Sequence, residues 1–143
     1  MLRDAYIAWT RRVLPLLLLP LAMTAVVQVL SAGASWAEGP EPPLGIRSLF
    51  FAAGVACIAW GRATRQKETA TQPLPAERLA SLSWRLVTVA VLPSAIGAVL
   101  ALMTRSVLEY YALLTVSLIG LILLYPRYDQ WLAWAGPSDA EEG

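Results

Sequence analysis

Four apolar runs, each about as long as a bilayer is thick, constrain this chain most strongly. As a helix rising about 1.5 Å per residue, the first run is roughly 27 Å long, close to the thickness of a hydrocarbon core. Only 15% of the residues are charged, and these residues cluster between the runs. The runs cover residues 13–30, 48–61, 86–103 and 110–125.

Each run is predicted to be a helix. A strand would leave backbone N–H and C=O groups unpaired in lipid, and the alternating pattern of a membrane barrel is absent. The second run is short, so its helix is expected to begin near Pro43, with Arg47 reaching outward to the headgroups. The sequence therefore predicts an all-α membrane protein with four transmembrane helices.

An internal similarity predicts how these helices are grouped. Residues 19–26 (LPLAMTAV) and 92–99 (LPSAIGAV) are identical at five of eight positions, and the same offset of 73 aligns Arg12 with Arg85. Chance similarity among common membrane residues is the alternative explanation. The favoured interpretation is a parallel repeat of two tandem helical hairpins. Its segments are a first hairpin in 1–65, a cytoplasmic linker in 66–80, a second hairpin in 81–127 and a partly disordered cytoplasmic tail in 128–143.

Basic residues predict the orientation. They concentrate before the first run and between the second and third runs, whereas the loop after the first run holds Glu38 and Glu41. Because basic loops stay inside, both termini are expected in the cytoplasm, with the protein in the cell inner (plasma) membrane. Arg11 and Arg12 before an apolar run could also begin a secretory or twin-arginine signal. The run is longer than a usual signal core, so an uncleaved first helix is expected.

Proline and polar residues inside the runs predict local irregularities. Pro20 and Pro93 lie in mid-span, where proline removes a backbone hydrogen bond and tends to kink the helix. Such a kink is either packing geometry or a hinge that lines a pathway. Gln28 is expected to seek a polar partner on another helix, with Thr24 nearby, and a substrate contact is the alternative.

Small residues predict close helix packing on the second and third runs. Small side chains about four residues apart let two helix backbones approach closely in lipid. The spacing leaves open whether the contact lies within the chain or with a partner. The predicted packing residues are Ala52, Gly54, Ala56, Ser94, Gly97, Ala98 and Ala101.

Groups capable of catalysis are scarce. The chain has no histidine, its single cysteine is Cys57 in an apolar run, and no ionisable residue lies in the centre of a run. Glu109 is expected to pair with Arg105 four residues earlier, as interfacial structure. The sequence therefore predicts no catalytic residue, cofactor site or metal site, no nucleic-acid partner, and a protein that is not an enzyme.

The favoured function is a small non-catalytic accessory or scaffold subunit. Its expected partners are the lipid bilayer and other membrane protein subunits, against which the small-residue faces would pack. The alternative is a small oligomeric transporter or channel, with a polar path near Gln28, Thr24, Ser94 and Thr115. A third possibility is a membrane enzyme whose interfacial arginine or glutamate residues act on a lipid headgroup.

Overall fold

The computed structural model describes residues 1–33, 43–70 and 73–136, and within these ranges the chain is helical and contains no strand. Two parts of the chain lie outside the described residues: the loop that contains Trp36, Glu38 and Glu41, and the acidic end of the tail. The helices are α1 (Leu2–Ser31), α2 (Leu44–Thr69), α3 (Ala76–Thr104), α4 (Val107–Leu124) and α5 (Tyr128–Ala135).

Helices α1 to α4 are each long and apolar enough to cross a membrane. The predicted class, an all-α protein with four candidate membrane spans, is therefore confirmed. The helices extend past the apolar runs: α1 begins at Leu2, before the basic Arg11 and Arg12, and α2 continues to Thr69. Arginine, lysine and glutamine are good helix formers, so a change to polar residues does not end a helix.

Helix α3 lies at the centre of the bundle. It packs most extensively on α4, then on α1 and α2, and it also contacts α5. In the most apolar stretch of α3, 56% of the residues are buried, whereas in the corresponding stretch of α2 only 11% are buried. A helix that is apolar on all sides can be surrounded by other helices, whereas α2 keeps most of its surface for lipid.

The two predicted hairpins differ in their packing. Helices α3 and α4 form a close antiparallel pair joined by a short turn, in which Arg105 adopts a left-handed conformation with φ of 54°. Helices α1 and α2 instead each pack on α3, and no comparable contact joins them within the described residues. The tandem-hairpin arrangement therefore stays a prediction.

Aromatic rings hold together the end of the bundle at which the chain begins, called here the N-terminal end. Ring centroids lie 5.2 to 5.7 Å apart in this cluster. Trp131 is fully buried, and its Nε1–H donates to Ser83 Oγ at 3.0 Å. These contacts fasten α1, α5 and the end of α4 to α3. The rings belong to Tyr6, Trp9, Tyr125, Tyr128 and Trp131.

Gly97 sets the close approach of α3 and α4. A Cβ atom at this position would lie 2.8 Å from Leu113 Cβ and 3.4 Å from the carbonyl oxygen of Tyr110. Neither neighbour is the far end of a flexible side chain, so the two helices would have to move apart. Gly45 in the first turn of α2 has nothing within 4 Å of the same atom.

We therefore expect Gly97→Ala to destabilise the protein, although alanine favours a helix over glycine by about 1 kcal/mol. Overpacking of a close contact costs about 1–3 kcal/mol, so the net loss appears as a lower thermal unfolding temperature in detergent micelles. Gly45→Ala is the matched control and should leave that temperature unchanged or slightly raised. Equal effects of the two substitutions would contradict this account of the α3–α4 contact.

Candidate functional site

The buried Pro20 of α1 lies beside two hydroxyl groups. Thr24 Oγ1 and the Tyr110 hydroxyl, which is on α4, lie 2.8 and 2.9 Å from the carbonyl oxygen of Pro20. The same two hydroxyls are 2.8 Å apart. Because each hydroxyl has one proton, two donors serve three contacts: one hydroxyl donates to the carbonyl while the other donates to that hydroxyl. This triangle leaves no buried hydroxyl proton unpaired.

Next to the buried Pro93 of α3, a different hydroxyl of α4 bonds to the helix backbone. Ser117 Oγ donates to the carbonyl oxygen of Ala90 at 2.5 Å and accepts the backbone N–H of Ser94 at 3.3 Å. In a regular helix that N–H and that C=O pair with each other. Ser94 Oγ donates in turn to the carbonyl oxygen of Val91 at 2.7 Å. Ser117 thus supplies a donor and an acceptor to the backbone next to the proline.

The backbone beside each proline therefore bonds to a hydroxyl on the same face of α4. Tyr110 and Ser117 are seven residues apart, which places them two turns apart on the same side of a helix. Helix α4 contacts α1 through the first turns of α4, and it contacts α3 along the whole length of α4. The predicted kink residues Pro20 and Pro93 are connected through α4, in which the sequence had suggested no special role for either hydroxyl.

The other polar residues predicted to matter bond to a neighbouring helix or to their own backbone. Gln28 Nε2 donates to the Tyr111 hydroxyl and so joins α1 to α4 at an exposed position. Thr115 Oγ1 donates to the carbonyl oxygen of Tyr111 within its own helix, at 2.8 Å. Thr24 and Ser94 are engaged at the two prolines. Thr24 and Gln28, one turn apart on α1, bond to the adjacent residues Tyr110 and Tyr111 of α4.

The predicted packing residues separate into a buried set and an exposed set. Gly54 is buried on α2, where an added Cβ would lie 2.9 Å from Leu113 Cδ2 and 3.4 Å from Pro93 Cβ. Ala52 and Ala56 are exposed on the same helix. The predicted residues of α3 are all buried: Ser94, Gly97, Ala98 and Ala101.

Helix α2 carries small residues on two opposite sides. Gly54 and Gly61 are buried against α3 and α4. Four exposed alanines, which we call the outer alanine face, follow the spacing i, i+4, i+7 and i+11 on one stripe of the helix. At 3.6 residues per turn, this stripe lies about 180° from the two glycines. Its members are Ala52, Ala56, Ala59 and Ala63.

An ion pair joins α2 and α4 at the end of the bundle opposite the N-terminal end. Arg47 Nε lies 2.7 Å from Glu109 Oε1, and these side chains are 28% and 13% exposed. The sequence had suggested Arg105 as the partner of Glu109, because four residues is a helical spacing. The partner Arg47 lies on another helix, and sequence spacing cannot indicate such a pair.

Two residues that sequence reasoning missed, Tyr110 and Ser117, do have a signal in the sequence. Both are hydroxyl residues on one face of a span, and each of two other spans contains a proline, which disturbs the backbone hydrogen bonds of its own turn. A search for hydroxyls at helical spacing opposite prolines would have selected them.

These features define the class of the chain: a small multi-pass membrane protein whose internal polar groups link its helices to one another. The described residues contain no group of three or more cysteine or acidic residues that could hold a metal ion. Comparison with protein families, curated proteins and solved structures finds no match to the chain.

We expect Ser117→Ala to destabilise the protein by about 1–3 kcal/mol, because it leaves the Ala90 carbonyl without its hydroxyl donor and the Ser94 N–H without its acceptor. The loss is measured as a lower thermal unfolding temperature in micelles and as faster hydrogen exchange of the Ser94 amide. Thr115→Ala is the matched control on the same helix. Its hydroxyl bonds only to its own helix, so its effect should stay within about 0.5 kcal/mol. A Ser94 amide that exchanges at the same rate in both variants would count against the bridging role of Ser117.

Proposed function

We propose that this protein is a non-catalytic accessory or scaffold subunit that packs against a larger membrane complex through the outer alanine face of α2. The supporting observation is the placement of the alanines. Packing within the chain uses the opposite, glycine side of α2, so the four alanines have no neighbour among the described helices that requires their small size. In lipid, small side chains matter where another helix approaches closely.

The polar residues of the bundle favour this proposal over a transporter or channel. A pathway needs polar groups that can exchange partners with a moving solute. Ser94 and Thr115 each donate to a backbone carbonyl, and Thr24 bonds to the Pro20 carbonyl and the Tyr110 hydroxyl. Besides the hydroxyl of Tyr110, the buried polar side chains of the described chain are those of Ser83, Ser94 and Ser117. Hydroxyls bound in this way stabilise helices, and they offer neither an ion-coupling carboxylate nor a nucleophile with an adjacent base. The proposal therefore includes no catalytic role.

The proposal also gives the protein an orientation and an origin. We infer a position in the inner (plasma) membrane with both termini in the cytoplasm. Arginines at the N-terminal end of the bundle, among them Arg11, Arg12 and Arg62, support this orientation.

We infer in addition that α1–α2 and α3–α4 descend from one hairpin. The matching sequences around Pro20 and Pro93 support this inference.

Co-purification from native membranes tests the accessory role. The full-length protein extracted in mild detergent should carry one or more larger membrane subunits in a constant ratio. Ala56→Phe should reduce the recovered partner about tenfold, because overpacking a helix contact by 1–3 kcal/mol weakens association by about that factor. Quantitative mass spectrometry of the purified material measures the ratio.

The matched control is Ala25→Phe, which enlarges an exposed alanine of α1. It should retain the partner at the wild-type ratio. Recovery of the wild-type protein as a free monomer would contradict the accessory role, and so would full retention of the partner by Ala56→Phe.

A further inference from the structure

A groove of about 410 Å³ runs along the membrane-facing side of the bundle between α2 and α4. Apart from one arginine, its lining is apolar, and several of its side chains, such as Val55 and Ile119, are about half exposed. The lining residues are Phe51, Val55, Ile58, Ala59, Arg62, Val116, Ile119 and Leu123.

The length of the groove fits one leaflet of a bilayer. From Phe51 to Arg62 the helix rises about 16 Å, at 1.5 Å per residue, which is roughly half of a 30 Å hydrocarbon core. An acyl chain that begins at the headgroup level and ends near the middle of the bilayer needs about the length that this groove offers.

The two ends of the groove differ in charge. Arg62 lines the N-terminal end of the groove, and Arg65 Nη1 donates to the carbonyl oxygen of Leu123 there, at 2.9 Å. That carbonyl belongs to the last turn of α4, where a helix lacks its own donors. A guanidinium has five N–H donors, so this bond leaves Arg65 with others.

Among the described residues, no ion pair joins an acidic side chain to Arg62 or Arg65. Glu68 follows Arg65 on α2, but its carboxylate lies 3.6 Å from Arg85 on α3. Beyond the other end of the groove, Arg47 and Glu109 neutralise each other. An amphiphile with an anionic head is therefore oriented in one direction only, with its head at Arg62 and its tail toward Phe51.

We infer that this groove binds one acyl chain of an anionic phospholipid from the leaflet at the N-terminal end, with the lipid phosphate at Arg62 and Arg65. The guanidiniums supply charge-assisted hydrogen bonds to the phosphate, and the apolar walls cover the chain. The bound lipid completes the surface between α2 and α4 on the side next to the outer alanine face. This site adjoins the outer alanine face, and Ala59 belongs to both surfaces, but the proposed lipid site does not rest on the accessory role.

Lipid binding to the full-length protein in detergent micelles tests the inference. The probes are phosphatidylglycerol and phosphatidylcholine with identical acyl chains, and native mass spectrometry counts the lipid that stays bound. The wild-type protein should retain one phosphatidylglycerol more tightly than phosphatidylcholine. Arg62→Gln should weaken phosphatidylglycerol binding about tenfold, the loss expected for one charge-assisted contact, and should remove most of the preference over phosphatidylcholine.

A second variant tests the apolar walls without changing a charge. Ile119→Trp fills the groove from the α4 side and should weaken the binding of both lipids. The matched controls are Ile122→Trp, at an exposed position of α4 outside the groove, and Arg11→Gln, at an exposed arginine of α1. Both controls should bind phosphatidylglycerol as the wild type does.

Three results would overturn the inference: equal retention of the two lipids by the wild-type protein, binding that is unchanged in both Arg62→Gln and Ile119→Trp, or equal losses in the variants and their controls. The accessory role is tested separately by Ala56→Phe, at a residue of the outer alanine face that does not line the groove.

Discussion

Every backbone group inside a bilayer must find its hydrogen bond within the protein, and the two mid-span prolines make this requirement hardest to meet. Each proline removes an N–H from its helix and crowds the preceding turn. The carbonyls that the missing N–H groups would have bound are those of Leu16 and Val89. Helix α4 bonds to the backbone beside both prolines, with Tyr110 and Thr24 at the carbonyl of Pro20 and Ser117 between Ala90 and Ser94. The position of α4 relative to α1 and α3 follows from these bonds.

The arrangement of the remaining helices follows from this pairing. Since α4 binds closely to α3 through Gly97 and reaches α1 through Tyr110 and Tyr111, α1 lies to one side of the α3–α4 pair. Helix α2 packs on the same pair through Gly54 and Gly61. It is fixed at its far end by the ion pair of Arg47 with Glu109. The α3–α4 pair therefore separates the first two helices, and α2 presents its alanines and its groove outward.

The class of the fold was predictable from the sequence, because length and apolarity alone decide which segments can cross a bilayer. The predicted kinks at Pro20 and Pro93 stay predictions, and both prolines lie inside helices that continue on either side of them. Contacts between helices were harder to predict from the sequence. Ala52 and Ala56 carry the same small-residue pattern as Gly54, yet they are exposed and Gly54 is buried. The pattern shows that a backbone can be approached closely, and it does not show which helix approaches it. The partner of Glu109 was hidden for the same reason, because Arg47 is close to it only after α2 and α4 have packed.

The separation of α1 and α2 by the α3–α4 pair is the central claim, and a distance between spin labels tests it directly. In a Cys57→Ser background, spin labels are placed at exposed positions near the helix ends opposite the N-terminal end. The pair Val29→Cys and Leu49→Cys measures the distance from α1 to α2. The pair Leu108→Cys and Leu49→Cys measures the distance from α4 to α2. Neighbouring helix axes lie about 8–10 Å apart, so the α1–α2 distance should be longer than the α4–α2 distance by about that amount. An α1–α2 distance equal to or shorter than the α4–α2 distance would mean that the first two helices form a closed hairpin of their own, and it would contradict the account.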